Sequence, residues 1–445
     1  MHINLPEKVK IIINKLTTAG YDAYAVGGCV RDSILGRNPQ DWDITTSAKP
    51  QQVKELFSRT IDTGIQHGTV TVMLDHEGFE VTTYRIDGEY EDARHPKEVI
   101  FTGNLVEDLK RRDFTINAMA YNEEKGLVDI FNGIEDIEKK VIRCVGIAEE
   151  RFTEDALRML RAVRFSAQLG FTIDYDTQKA IEKLAPSLKK ISAERIQTEL
   201  VKLLVSNHPE EVRTLYETGI SKEIFPWFDK MMQTPQNNSY HCYNVGEHSI
   251  QAMLNVKADK VLRLTMLLHD MAKPECLTID EKGIYHFYGH QKMSADMAKK
   301  VLRQLKFDND TIDRVYRLIL WHDDNPPVTP ASIRRAIHRI GIEQYPDLFL
   351  VQRADILGKS NYQRQEQLEY LERYEKQYQQ IIEEQNCISL KMLAVKGSDM
   401  IAAGMTPGKE IGETLEYLLS IVLEHPEYNQ KEILMNKIRN YSVPS

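Results

Sequence analysis

The chain has 445 residues, more than one ordinary hydrophobic core holds, so two to four domains are expected. Its 42% hydrophobic and 28% charged content is that of a soluble globular protein, and no apolar run reaches the roughly 18 residues of a membrane helix. The net charge of −9 weighs against a nucleic-acid partner over the whole chain, although totals hide patches and acidic metal sites inflate the negative count. Five scattered cysteines (Cys29, Cys144, Cys242, Cys276 and Cys387) form no CxxC pair, and residues 1–10 lack a secretory core. Both features imply a reduced, cytoplasmic protein.

In chain order, residues 6–19 predict a helix with Val9, Ile12, Ile13 and Leu16 on one face. Strand-like runs follow at 21–26, 42–46, 69–74 and 79–85, punctuated by Gly and Asp. Beyond residue 143 strands become scarce. Residues 231–239, rich in Gln, Asn and Pro, read as a linker, and 362–385 as a polar, solvent-facing helical strut. The expected division is a small α+β head (1–143), a helical body (144–230), a His-rich helical module (231–360) and a helical tail (361–445).

Chemistry begins at Gly27-Gly28-Cys29-Val30-Arg31-Asp32, followed by Asp41-Trp42-Asp43. A strand ending in Gly-Gly and opening a helix lets backbone N–H groups approach a phosphate, although most Gly-Gly turns only connect elements. On a strand, residues i and i+2 share a face, so Asp41 and Asp43 together suit hard cations such as Mg²⁺ that are shared with substrate phosphates. An exposed acidic turn is the alternative. Glu80, opposite in face to Phe79 and Val81, offers a third carboxylate or a plain surface charge.

The segment GGCVRDSILGRNPQDWDI is similar to the catalytic signature of class II tRNA nucleotidyltransferases and bacterial poly(A) polymerases, in the polymerase-β-like superfamily. The resemblance implies a polymerase-β-like head with a small mixed sheet. It implies that Asp41 and Asp43 hold Mg²⁺ while Gly27, Gly28 and Arg31 contact the incoming triphosphate. The run Arg111-Arg112-Asp113-Phe114-Thr115-Ile116-Asn117 matches a second family signature, with two guanidiniums for triphosphate oxygens and Asp113 and Asn117 for a ribose hydroxyl. Residues 88–96 (GEYEDARHP) match the loop that helps this family's site change from one nucleotide to the other.

Further on, EDALRMLRAVRF reads as one helix opened by Glu154 and Asp155, with Ala156, Leu160, Val163 and Ala167 as its apolar stripe and Glu154, Arg158 and Arg161 on another face. Surface ion pairing explains that spacing equally well. A carboxylate, however, accepts from the exocyclic amine of cytosine or adenine and repels the carbonyl oxygen of uracil or guanine. EDxxR is the nucleotide-selecting motif of the resembled family. The resemblance gives that role to Asp155 and Arg158, with Glu154 steadying Arg158, and Arg161 stands beside them.

In the third segment His248, His269-Asp270, His290, His322 and Asp355 follow the order of an HD-type metal site, and imidazole with carboxylate suits a divalent metal of unstated identity. The implied activity is addition of C, C and A to tRNA from CTP and ATP. An A-adding enzyme or poly(A) polymerase is the near alternative, and an HD-type phosphohydrolase with a nucleotide-binding head the distant one. A non-catalytic tRNA-binding protein is a third. The tail segments LAVKGSDM and GMTPGK resemble the family's C-terminal region and are expected to touch tRNA through phosphates. No membrane partner is expected, and the oligomeric state is open.

Overall fold

The computed structural model describes residues 2–88 and 99–439, so all but Gly88 of the predicted nucleotide-switching loop lies outside the described residues. The chain divides into two units, Met1–Asp229 and Lys230–Ser445.

The first unit opens with α1 (Glu7–Thr18), which buries the predicted stripe of Val9, Ile12, Ile13 and Leu16. Strand β1 (Ala23–Val26) runs into α2 (Gly28–Ile34), and β2 (Ile44–Thr46) is followed by α3 (Pro50–Leu56). Next come β3 (Thr60–Gly64), β4 (Thr69–Leu74), β5 (Glu77–Thr83), the short ribbon of β6 (Arg85–Asp87) and β7 (Val99–Phe101), then α4 (Leu105–Lys110). Strands β8 (Met119–Asn122) and β9 (Gly126–Asp129) complete a seven-stranded sheet in the order β3-β4-β5-β2-β1-β8-β9. It is mixed because β2 pairs β5 in parallel while its other pairings are antiparallel. Alternation decides its faces: Val70, Val72 and Val81 are fully buried while the intervening residues are not. Each such side chain contributes about 1.5–3 kcal/mol by leaving water.

Helices then take over: α5 (Gly133–Lys139), α6 (Ala148–Glu154), α7 (Leu157–Leu169), α8 (Tyr175–Leu184) and α9 (Ala193–Leu204). This is a polymerase-β-like head with a small mixed sheet followed by a helical body. Two local expectations need correction. Asp41 and Asp43 precede the strand that begins at Ile44, although the amide of Val26 still donates to the carbonyl of Asp43 at 3.0 Å and extends the ladder to it. EDALR does not open one helix: α6 ends at Glu154, Asp155 is extended (φ −140°), and α7 starts at Leu157. The Asp155 carboxylate accepts from the Leu157 amide at 3.0 Å, the local capping that makes Asp a helix boundary. Ala156, Leu160, Val163 and Ala167 are buried as expected.

Among the longer helices of the second unit are Val245–Leu254, Lys260–Leu268, His290–Gln304, Asn309–Trp321, Pro330–Ile340, Tyr345–Gly358, Arg364–Glu383 and Lys409–Glu424. The predicted linker begins inside a helix, Pro226–Gln233, because Met231 is wholly buried. The predicted strut is also not solvent-facing all round. Leu371, Tyr374, Tyr378 and Ile381 recur at helical spacing and are buried, Tyr378 stacking on Tyr345 at 4.7 Å. The charges around that stripe masked it. Among the described residues no helix is long and apolar enough to cross a membrane, and all five cysteines are free.

Candidate active site and a buried histidine–aspartate centre

In the head, the turn between β1 and α2 needs glycine. Gly27 has φ +83°, and a Cβ there would lie 2.9 Å from Nη1 of Arg112, whose side chain therefore crosses the Gly-Gly turn. The register of β2 against β5 pairs Ile44 with Val81, which brings Asp43 alongside Glu80. Both carboxyls titrate above their ordinary range. For Asp43 the causes are lost hydration and then the charge of Asp41, opposed by Arg112; for Glu80 they are lost hydration, Asp43 and Asp41. Asp41 and Asp43 are both exposed, as is Glu80. Three mutually repelling carboxylates open to solvent are suited to a hard divalent cation.

Sequence reasoning missed the residue that aims the two adjacent arginines. Asp108, fully buried on α4, receives Nε of Arg111 at 3.0 Å and lies 3.6 Å from Nη2 of Arg112. The Thr45 hydroxyl donates to it at 3.1 Å. Burial would raise its pKa, but Arg111 and Arg112 outweigh that and lower it. An acid three and four residues before Arg-Arg was the available signal.

Asp113 and Asn117 form a relay. Arg161 donates to Asp113 through Nε (2.8 Å) and Nη2 (2.5 Å), Asn117 donates to Asp113 at 3.1 Å, and Arg31 donates to Asn117 at 2.6 Å. Burial works against the charged carboxylate of Asp113, yet Arg161 and Arg158 hold its pKa well below the usual range. These residues join α2, the RRDFTIN segment and α7 into one polar network.

The amide of Arg158 donates to the carbonyl of Asp155 at 3.0 Å, and the two side chains have separate partners. Arg158 donates to Glu154 (2.6 Å) and to the carbonyls of Arg151 (3.2 Å) and Arg111 (2.9 Å), so it ties the body to the paired-arginine segment. Asp155 instead takes Nη2 of Arg195 on α9 at 2.7 Å. Arg195 stands in Ile191-Ser192-Ala193-Glu194-Arg195-Ile196, a segment that resembles the family's next helix but whose residue roles the sequence leaves open, because the partner of Arg195 lies 40 positions away.

The second unit gathers all six predicted ligands into one buried cluster. His248, His269, Asp270, His290, His322 and Asp355 are each less than a tenth exposed. In every histidine Nδ1 lies against a backbone carbonyl: Gly358 (3.2 Å), Met266 (2.8 Å), Phe287 (2.8 Å) and Ile319 (2.7 Å), respectively. A proton held there turns the lone pair of each Nε2 inward, the arrangement that orients metal-binding imidazoles. Those nitrogens converge on carboxylates: His248 on Asp355 (2.9 Å), and His269 and His290 on the two oxygens of Asp270 (3.2 Å each). Neither Asp270 oxygen has a hydrogen-bond partner of good geometry despite full burial. Inward lone pairs beside two buried carboxylates suit a divalent metal ion, while Lys273 lies 2.7 Å from Asp270 and Lys359 2.5 Å from Asp355 and supply positive charge of their own. Burial pushes the His322 imidazole down to about 4, whereas the neighbouring carboxylates of Asp270 and Asp355 outweigh burial at His269 and hold it up at about 9. A cavity of about 610 Å³, lined by Tyr240, Tyr285, Gln352, Lys359 and Tyr370, opens onto His322 and Asp355.

The Poly A polymerase head domain matches residues 23–143, the "Probable RNA and SrmB-binding site of polymerase A" residues 170–232, and tRNA nucleotidyltransferase domain 2 residues 277–438. The CCA-adding enzyme of Lactobacillus helveticus is 37% identical over 421 residues, 94% of this chain and 92% of that one. The chain belongs to the CCA-adding enzyme family. The Leuconostoc mesenteroides enzyme is 56% identical over 200 residues, so the match there spans about half of each protein (45% and 50%). Among solved structures, the Bacillus stearothermophilus CCA-adding enzyme in complex with CTP covers 96% of both chains at 32% identity and TM-score 0.71. The Thermotoga maritima enzyme complexed with tRNA, at 20% identity and TM-score 0.59, shares the fold.

Proposed function

We propose that this chain, as a CCA-adding enzyme, extends tRNA with C, C and A from CTP and ATP and releases pyrophosphate. The observation that carries the reading is the open carboxylate trio of Asp41, Asp43 and Glu80 beside Arg112, within a chain of that family. Mg²⁺ held by Asp41 and Asp43, with Glu80 as a third ligand, would supply charge neutralisation at the reacting phosphate.

The chain's own groups account for the rest. Gly27 and Gly28 let the backbone approach the triphosphate, and Arg31, Arg111 and Arg112 donate to its oxygens. Asp113 and Asn117 meet the ribose while holding Arg161 and Arg31. Asp155 accepts from the exocyclic amine of C or A, and Arg158, fixed by Glu154, donates to a neighbouring ring acceptor. The four-part division at 143, 230 and 360 is the organisation we assign, with the tail contacting tRNA phosphates, in a cytoplasmic protein. Incubating the protein with tRNA lacking CCA, Mg²⁺ and each nucleotide singly or together, then sequencing the 3′ ends, tests this. Ends reading CCA support it; A tails alone favour the A-adding or poly(A)-synthesising alternative, and unextended ends overturn it.

The buried cluster favours a second activity in the same protein. His248, His269, Asp270, His290, His322 and Asp355 would hold one or more divalent metal ions in an HD-type module, supplying the means to hydrolyse phosphate esters in the adjoining cavity. Elemental analysis of purified protein before and after Asp270→Ala, beside a phosphatase assay, checks both halves. Metal-free wild-type protein ends this reading.

A further inference from the structure

We infer that Phe165 is a positioning residue for nucleotide transfer, its buried ring holding the triphosphate-binding arginine of the head and the arginines of α7 in one fixed arrangement. The inference rests on the reading above in one respect, that Arg31 and Arg161 act on the incoming nucleotide.

Phe165 lies on α7, seven residues beyond Arg158, and is only 5% exposed. Three guanidinium carbons surround its ring centroid, from Arg164 at 3.6 Å, Arg31 at 5.0 Å and Arg161 at 5.5 Å. Its ring meets that of Phe114, in the RRDFTIN segment, edge to face at 5.7 Å and 81°. An aromatic face attracts cations through its quadrupole, and the attraction strengthens where water is excluded. Three like charges around one ring also repel, so each needs a counter-group. Asp113 takes Arg161, Glu199 takes Arg164 at 2.8 Å, and Asn117 with Asp32 takes Arg31. The hydrogen bonds fix where the guanidiniums are held laterally, and the ring supplies the surface they lie against. Arg31 belongs to the Gly-Gly turn, Phe114 to the paired-arginine segment and Arg161 to the helix of Arg158. Phe165 touches all three. An aliphatic side chain of similar bulk fills the space but offers no face to the cations.

Phe165→Leu and Phe165→Tyr separate these roles. Binding of CTP and ATP is titrated directly, and KM for each nucleotide and for tRNA lacking CCA is measured with kcat. Phe165→Leu is expected to weaken both nucleotides about tenfold in Kd and KM with tRNA KM unchanged, while Phe165→Tyr stays within about twofold of the parent. A folded Phe165→Leu protein with parental nucleotide affinity overturns the inference, as does Phe165→Tyr failing as badly as Phe165→Leu. Should Phe165→Leu not fold, Phe165→Met, an unbranched and adaptable side chain without a ring, carries the same expectation. Binding is read independently of turnover, so a parent that adds nothing to tRNA sinks the functional reading while the titration still decides this one.

Discussion

The two polar centres of this protein differ in one respect that explains most of the rest. Asp41 and Asp43 reach solvent just before a strand, whereas the six clustered histidines and aspartates of the second unit are buried and each histidine is tethered through Nδ1. An open, oxygen-only site suits a cation that arrives with phosphates and leaves with pyrophosphate. A closed site of imidazole and carboxylate suits a resident ion whose binding contributes to folding. The first centre should therefore respond to substitution in rate, and the second in metal content and stability.

Asp43→Ala gives the largest expected effect. Incorporation of C and of A should fall about a thousandfold or more, roughly 4 kcal/mol in the barrier, with little change in melting temperature, because this carboxylate is exposed and its raised pKa shows that it gains little from being charged in the fold. Single-turnover rates with CTP and ATP check it. Retained incorporation would remove Asp43 from the reaction.

In the second unit, Asp270→Ala should abolish stoichiometric metal and cost about 3 kcal/mol of stability. It strips the partner from Lys273, whose Nζ lies 2.7 Å from Asp270 in a buried setting. CTP binding by the first unit should not change. A variant that keeps its metal, or melts like its parent, would erase the contrast between the two centres.

Asp113 gives a pH signature. Its folded-state pKa is depressed, so its stabilising contribution is present above the unfolded value near 4 and is lost as pH falls through the lower folded value. The first unit should lose on the order of 2 kcal/mol of stability across that acid range relative to Asp113→Asn, whose difference from the parent should vanish at the acid end. Urea melts of both proteins from pH 6 downward measure it, and parallel curves would mean that Arg161 does not bind the carboxylate as described.

Much of the mixed head sheet, the stripe of α1 and the residue types that gather in the buried histidine–aspartate cluster were legible in the sequence, because each depends on short-range periodicity or on residue type. What escaped reading was set by tertiary partners or by one residue's competition with a helix. Asp108 looks like any helical acid until Thr45 and Arg111 close on it. Asp155 breaks a run that propensity alone continues. The buried face of Arg364–Glu383 hides among charges and exists because Tyr345 and Phe349 are there to cover it.

Arg195→Ala is the smallest effect and bears most directly on the base choice proposed for Asp155. Arg195 holds one oxygen of Asp155 at 2.7 Å while the Leu157 amide holds the other at 3.0 Å, so the carboxylate is clamped in a plane. Nη1 of Arg195 is buried without a hydrogen-bond partner among the described residues. Removing the guanidinium leaves Asp155 tethered on one side and free to rotate toward water. The preference for CTP over UTP should drop about fivefold, near 1 kcal/mol, with kcat for CTP within about twofold of the parent. An equal fall for all four nucleotides would make Arg195 a support of the fold alone. An unchanged preference would leave the Leu157 amide as sufficient to aim the carboxylate, and base choice would then depend on the break between α6 and α7 rather than on the ion pair that spans to α9.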